Sequence, residues 1–429
     1  MHMHVNIDCL HRCHAFTSEP RHNPHPPGLI PPHRTESMCP APHTPSPAPD
    51  MPRPPLTEGP ALDALRAEFP ILGDRIYLNS CSLGALSRRA EGRLQGFLEL
   101  WHTMGASAWY EHWLATCDEL REAVEGLLGA QRGEIALSPS TSVALSSVAE
   151  SVDYGKRPRV VISELDFPTL GYQFAVKPEV ELVVLRSEDG VGIRPEQYAE
   201  VVDEHTAFLA TSHVFFTTGF RQDLKALARI ARDAGALSLI DGYQGAGQIA
   251  VDVKDAGIDL YTTGPLKWLL GGPGLSYLYV REGLIESLRP RITSWFATQS
   301  PFEFDLEGFA FRDDALRFEM GTPALPTVHT ALGGQEIIDE VGMPAIEARN
   351  RHLTRRLESG LLDAGFELRV ADDPSERTAI VMVRHDDPAG AVEALAAEGI
   401  IVDHRPGYVR VSPHFYNTES EVDAFIAAL

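Results

Sequence analysis

Lys267 and Asp241 are the two residues of this chain whose types and spacing could do covalent chemistry together. Lys267 lies in Thr262-Thr263-Gly264-Pro265-Leu266-Lys267-Trp268, ahead of the run Gly271-Gly272-Pro273-Gly274. It follows by 26 residues an apolar stretch, Ser238-Leu239-Ile240, that ends on Asp241. An isolated lysine is ordinarily a solvated surface group, and an isolated strand-end aspartate serves as well for a turn or a helix cap. In this order the pair suggests more. Pyridoxal phosphate needs an amine that carries it as a Schiff base and a carboxylate that keeps its pyridine nitrogen protonated, so that the ring withdraws electrons. Charge pairing would keep the aspartate ionised and the pyridinium protonated.

Three further stretches could complete such a site. Ser140, Thr141 and Ser142 precede the apolar run 143–148, and hydroxyls with free N–H groups at a helix start suit a phosphate; they equally suit an ordinary cap. Phe167, in Asp166-Phe167-Pro168-Thr169, could lie on a pyridine face or fill a core. Arg410 stands in the apolar stretch Tyr408-Val409-Arg410-Val411-Ser412. A guanidinium buried there requires a carboxylate, either an internal Asp or Glu or the α-carboxylate of an amino-acid substrate held by two hydrogen bonds.

The elements that must position these residues alternate. Helices are expected over 62–69, 88–103, 115–128 and 222–234, and strands over 160–163, 182–185, 207–212, 238–241, 260–263 and 275–280. Uninterrupted apolar strands separated by helices indicate an α/β fold with a mostly parallel sheet flanked by helices on both faces. Ligands then sit at the carboxyl ends of the strands. After Arg281 the alternation loosens. A helix over 324–339 leads into segments 353–364, 379–383, 389–399, 408–412 and 419–428, read as a smaller α+β C-terminal domain. The expected organisation is a tail over 1–55, an N-terminal segment over 56–90, a large cofactor-binding domain over 91–320 and a small domain over 321–429.

The tail holds 14 of the 32 prolines and 8 of the 17 histidines and has almost no apolar periodicity, so disorder is expected there. Its Cys9 and Cys13, with His2, His4, His11 and His14, match no zinc spacing, and no metal site is expected. Cys81 and Cys117 are too few for a disulfide framework. A net charge of -23 over 429 residues argues against a grip on nucleic acid or anionic lipid. With no secretory start and no membrane-length apolar run, a cytoplasmic enzyme of a small molecule is expected. The Gly-x-Gly-x-x-Gly of a dinucleotide site after the first strand is missing.

From about residue 70 to the C-terminus these motifs resemble the fold-type-I pyridoxal-phosphate enzymes of the class V aminotransferase group. That group includes kynureninases, cysteine desulfurases, selenocysteine lyases and isopenicillin epimerases. The resemblance implies that Lys267 carries the cofactor, Asp241 pairs with the ring nitrogen and Gln244 hydrogen-bonds its phenolic oxygen. It further implies Ser140, Thr141 and Ser142 at the phosphate, Phe167 on the ring, and Arg410 on the substrate carboxylate. A homodimer with shared active sites is also implied, Thr322 of Gly321-Thr322-Pro323 reaching the neighbouring subunit's phosphate.

Asn79-to-Ala85, Phe167-Pro168-Thr169, Lys267-to-Gly274 and Ser294-Trp295-Phe296 lean toward kynureninase, and Trp295 is taken as a substrate-side residue. Gln244, where kynureninases usually carry histidine, and Gly321-Thr322, in place of their asparagine segment, depart from it. Residues 403–408 lack the cysteine that a desulfurase needs. The expected reaction is one in which Lys267, released by the incoming L-amino acid, removes its α-proton. A lyase acting on an aromatic or sulfur-bearing amino acid is expected first, with a transaminase or epimerase as alternatives and a desulfurase behind them.

Overall fold

The strands expected from apolar runs pair into one large sheet. In the computed structural model, which describes residues 56–429, they are, in chain order, β1 (Ile76–Tyr77), β2 (Ile135–Ser138), β3 (Arg159–Ser163), β4 (Glu181–Leu185), β5 (Thr206–Ser212), β6 (Leu237–Asp241), β7 (Leu260–Thr263) and β8 (Ser276–Val280). A second group follows: β9 (Leu368–Arg369), β10 (Val381–Arg384), β11 (Ile400–Ile401), β12 (Asp403–Arg405) and β13 (Tyr408–Val411). The tail expected to be disordered, with its Cys and His candidates, lies outside the described residues.

The large sheet has the order β2-β8-β7-β6-β5-β3-β4. Neighbours from β7 through β4 run parallel, whereas β8 is antiparallel to both β7 and β2. The reason for the reversal is local: a loop without a helix joins β7 to β8, and a parallel return needs a longer crossover. Every residue of β2, β5, β7 and β8 is buried, as a sheet covered on both faces requires. Helices Thr141–Ala149 and Pro168–Ala175 pack with one face of the core, and Leu224–Ala234 lies among the residues of the other. Strand β2 had been missed. Four residues with no alternation carry no period to read.

The smaller sheet, β12-β13-β10-β9, is antiparallel throughout. Val381, Val383, Val409 and Val411 pack against Leu353, Leu357 and Leu361 of the helix Met343–Asp363 and Val422 and Phe425 of Glu419–Ala428. The longer of these helices starts ten residues before the expected 353. Pro344 reads as a break, but proline is well tolerated in a first turn. The pair β1 and β11, parallel, joins the N-terminal segment to these C-terminal strands.

Helix Leu325–Val341 packs against helix Arg88–Met104 and against the turn after Lys267. A Cβ on its Gly333 would lie 2.5 Å from the backbone of Ala90 in helix Arg88–Met104, and one on Gly334 would lie 2.5 Å from the carbonyl oxygen of Leu269. Two bare positions therefore let this helix press against its neighbour and against the turn that follows Lys267. Among the described residues no helix is long and apolar enough to cross a membrane.

Candidate active site

Asp241 is the last residue of β6 and stands directly opposite Ser212 of β5 and Thr262 of β7, at the carboxyl edge of the parallel strands. The chain leaves the sheet at Gly242, whose N–H donates to the carbonyl of Thr262 at 2.7 Å. Nothing larger fits: a Cβ there would lie 1.9 Å from the Tyr261 ring. Asp241 Oδ1 accepts the Tyr243 N–H at 3.0 Å. Burial raises the carboxyl's pKa above the ordinary value, while the Tyr243 N–H and the Lys267 cation pull the other way.

Lys267 follows β7 through Gly264, Pro265 and Leu266. Its carbonyl accepts the Leu270 N–H at 3.2 Å, and buried Leu270 closes that turn at φ 60°. A branched residue in the left-handed region costs about 1–3 kcal/mol and persists only where packing enforces it; here the helix Leu325–Val341 does so. The ammonium lies 5.1 Å from the centroid of the Tyr243 ring and 6.0 Å from that of Phe167. Burial lowers its pKa below the usual lysine value. Cys81 and Asp241 oppose that shift, and the nearby Arg410 and Arg405 cations add to it. An amine so biased toward its neutral form is suited to nucleophilic attack and proton abstraction.

Both residues line a cavity of about 300 Å³, together with Ser140, Thr141, Ser142, Phe167, Gln244, Tyr243, Val214, Phe216 and Leu275. Ser140 caps helix Thr141–Ala149 by accepting the Val143 N–H at 3.3 Å. Thr141 Oγ1 lies 3.1 Å from Ser276 Oγ. Since the Ser276 hydroxyl donates to the Thr263 carbonyl at 2.7 Å, it accepts from Thr141. The helix start is thereby pinned to β8 and, through the Thr263 carbonyl, to β7, the strand that leads to Lys267. Phe167 is 46% exposed and meets Phe216 edge-on, with centroids 5.2 Å apart. Of its two expected settings, cavity wall or core, the first is the observed one.

Gln244 also lines the cavity, but its amide is tied down: Nε2 donates to the Cys81 carbonyl at 2.9 Å and Oε1 accepts the Trp268 indole N–H at 2.8 Å. Arg410 is almost wholly buried. The internal carboxylate left open by the sequence exists: Nη2 donates to Asp403 Oδ2 and to Ser82 Oγ, each at 2.6 Å, and Nη1 donates to the Phe216 carbonyl at 3.2 Å. Three expected residues do not line this cavity, Arg410 being the first. Thr322 is exposed, and Trp295 stacks on Phe304 at 6.0 Å within a surface aromatic group that includes Phe302.

Sequence reasoning missed Tyr243, Phe216, Ser82 and Asp403. Tyr243 could have been found, since it lies between Asp241 and Gln244 in a segment already singled out. Asp403 could not: it is the cross-strand partner of Arg410, and only the register of β12 on β13 shows it. Segment 78–84 forms a strap between the sheets. Ser412 donates its N–H to the Leu78 carbonyl at 2.8 Å, and Gly84 donates to the Leu266 carbonyl at 2.9 Å.

The residues fit pyridoxal phosphate by the chemistry of their donors. A buried carboxylate and a cation-shy amine share one cavity with a hydroxyl-rich helix start and aromatic walls, and this matches a cationic ring nitrogen, an aldehyde, a phosphate and a flat ring in turn. Among the described residues no group of three metal-ligating side chains occurs.

Fold and site together define a pyridoxal-phosphate enzyme of fold type I. The chain belongs to the class-V aminotransferase family, whose model it matches over residues 93–425. It is 31% identical over 357 residues to the uncharacterized aminotransferase YcbU of Bacillus subtilis (strain 168), covering 83% of this chain and 94% of the relative. It is 28% identical over 381 residues to a kynureninase of Bacillus thuringiensis subsp. konkukian (strain 97-27), covering 84% and 89%. Among solved structures, the cystine C–S lyase C-DES in complex with its product cysteine persulfide superposes with a TM-score of 0.77 at 18% identity, covering 84% of this chain and 98% of that one. That likeness carries the fold alone.

Proposed function

We propose that this enzyme is a lyase that cleaves a bond at or beyond Cβ of an L-amino acid with an aromatic or sulfur-bearing side chain. The observation that carries the reading is the placement of Lys267 and Asp241 in one cavity walled by Phe167, Tyr243 and Phe216, with no cation on the wall besides the lysine to attract an acidic side chain. Kynureninase relatives support it.

Bound pyridoxal phosphate supplies an electron sink that stabilises negative charge at the substrate's α-carbon. Asp241 keeps that sink strong, because an anion in low dielectric holds a proton on the ring nitrogen. Ser140, Thr141 and Ser142 hold the phosphate with hydroxyls and helix-start N–H groups. Phe167, in the cavity wall, would hold the ring by one face. Arg410 fixes the substrate carboxylate, which sets which bond at Cα stands perpendicular to the ring. Lys267 Nζ, whose cation burial disfavours, takes the α-proton and returns it later. Gln244, anchored by Trp268 and Cys81, would hold the phenolic oxygen with its remaining N–H. A homodimer in which Thr322 reaches the neighbouring subunit's phosphate accounts for that residue's exposure.

Incubating the holoenzyme with kynurenine, cysteine, cysteine sulfinate and alanine, with products identified by mass spectrometry, tests the reading. Release of anthranilate or of a sulfur product with alanine or pyruvate is expected. Keto-acid formation that requires an amino acceptor would overturn it in favour of a transaminase, the second reading, which the identity to YcbU favours.

A further inference from the structure

The guanidinium of Arg410 is held in a way that bears on how a carboxylate reaches it. A guanidinium offers two edges for two-pronged binding, Nε with Nη2 and Nη1 with Nη2, so that Nη2 belongs to both. Here Nη2 is the atom already engaged, donating to Asp403 Oδ2 and to Ser82 Oγ. The Nε of Arg410 is buried and has no hydrogen-bond partner. A donor left so in a native interior is costly, and it is free to take up an incoming acceptor. One edge thus combines an unused N–H with an atom gripped by the protein itself.

Asp403 is the partner fitted to let go. Its side chain is 26% exposed, against 2% for Arg410, so water can receive it. It also keeps three other donors, the His404 N–H at 2.7 Å, Arg405 Nη1 at 2.9 Å and Ser82 Oγ at 3.0 Å. Releasing Nη2 leaves the aspartate paired and the arginine with a complete Nε–Nη2 edge. The charges agree: Arg405 and Arg410 against Asp403 leave one positive charge, which one incoming carboxylate neutralises.

We propose that Asp403 is a positioning residue acting through Arg410: with Ser82 it latches the guanidinium by Nη2, and the substrate's carboxylate binds by exchange for that latch. This rests on the reading of Arg410 given under Proposed function. Asp403 is then an internal rival of the substrate and sets how strongly a monocarboxylate must bind to enter the site. It is a specificity element as well, because an amine without a carboxylate has nothing to exchange.

Titrating the holoenzyme with L-alanine and, separately, with ethylamine, which lacks the carboxylate, tests this through the shift of the cofactor's near-visible band. Asp403→Asn is expected to lower the apparent Kd of alanine about tenfold, the order of one charge-assisted hydrogen bond, and to move that of ethylamine by less than about twofold. Ser82→Ala moves alanine in the same direction by less. An Asp403→Asn protein that binds alanine more weakly, or shifts both probes equally, overturns the exchange. Arg410→Lys is expected to weaken alanine and spare ethylamine; if alanine is unaffected, the carboxylate role of Arg410 falls first and the latch with it.

Discussion

An alanine at position 84 tests whether the strap over residues 78–84 holds the reactive lysine in place. Its Cβ would lie 2.1 Å from the carbonyl oxygen of Lys267 and 3.2 Å from Cα of Leu270, whereas real Cβ contacts stay above 3.0 Å. One backbone must therefore move by roughly 1 Å, the scale at which misplacing a reacting group costs about 100-fold. The strap cannot simply retreat, because Gly84 donates to Leu266 at 2.9 Å. Gly84→Ala is accordingly expected to lower kcat/KM about 100-fold, which corresponds to about 2.7 kcal/mol of transition-state stabilisation. Overpacking should lower global stability by about 1–3 kcal/mol. Steady-state kinetics on the amino acid identified by the panel, beside thermal melts, read both. Gly92→Ala, in helix Arg88–Met104 with nothing within 4 Å of the new Cβ, is the control and should keep or raise Tm. If Gly84→Ala stays within about threefold of wild-type kcat/KM while its Tm falls, the strap does not position Lys267 and the reasoning fails.

Further outcomes are expected at Asp241, at two buried histidines and at Thr322. Asp241→Asn should retain the near-visible band but lower kcat by about 10³-fold, since an ion pair at an effective dielectric of 20 is worth about 4 kcal/mol; Lys267→Ala should lose the band itself. Stripped of cofactor, the Asp241→Asn protein should melt above wild type at neutral pH, because burial disfavours the ionised carboxylate. In acid, where that carboxyl is protonated, the difference should vanish. Burial, aided by Arg221, pushes His213 down to about 3, and burial pushes His414 down to about 3 against the pull of the Trp268 carbonyl. Below pH 6.5 the unfolded chain takes up protons that the folded one refuses. Stability present above 6.5 is therefore lost as pH falls toward 3. Urea midpoints at pH 7.5 and 5 should show the loss, and His213→Gln should show less of it. Thr322→Ala should weaken cofactor binding about tenfold, the order of one hydrogen bond to a charged group, and light scattering should give a dimer; a monomer with full cofactor affinity would end the shared-site proposal.

The sequence by itself determined the elements whose signal is local. The largely apolar runs of β5, β6 and β7 and the residues on which they end were legible because burial on both faces keeps charged residues out of a strand until the chain leaves the sheet. Lys267 and Asp241 were legible together because the parallel order of their strands puts both chain exits on one edge. The serines before helix Thr141–Ala149 carried an unambiguous start, although nothing local said whether a phosphate or only a cap was meant.

What only the tertiary structure decided are the partnerships across long stretches of chain. Ser82 meets Arg410 from 328 residues away and Asp403 from 321, through a strap whose composition resembles any loop. The direction of β8 and the membership of β2 depended on which strand edge remained to be paired. Periodicity reports which face of an element is buried and says nothing of what it is buried against. A buried arginine signals that acceptors for its cation are near, since an unpaired cation in the interior costs several kcal/mol, but the identity of the carboxylate at Arg410 is set by strand register, which sequence leaves unspecified until the sheet is formed.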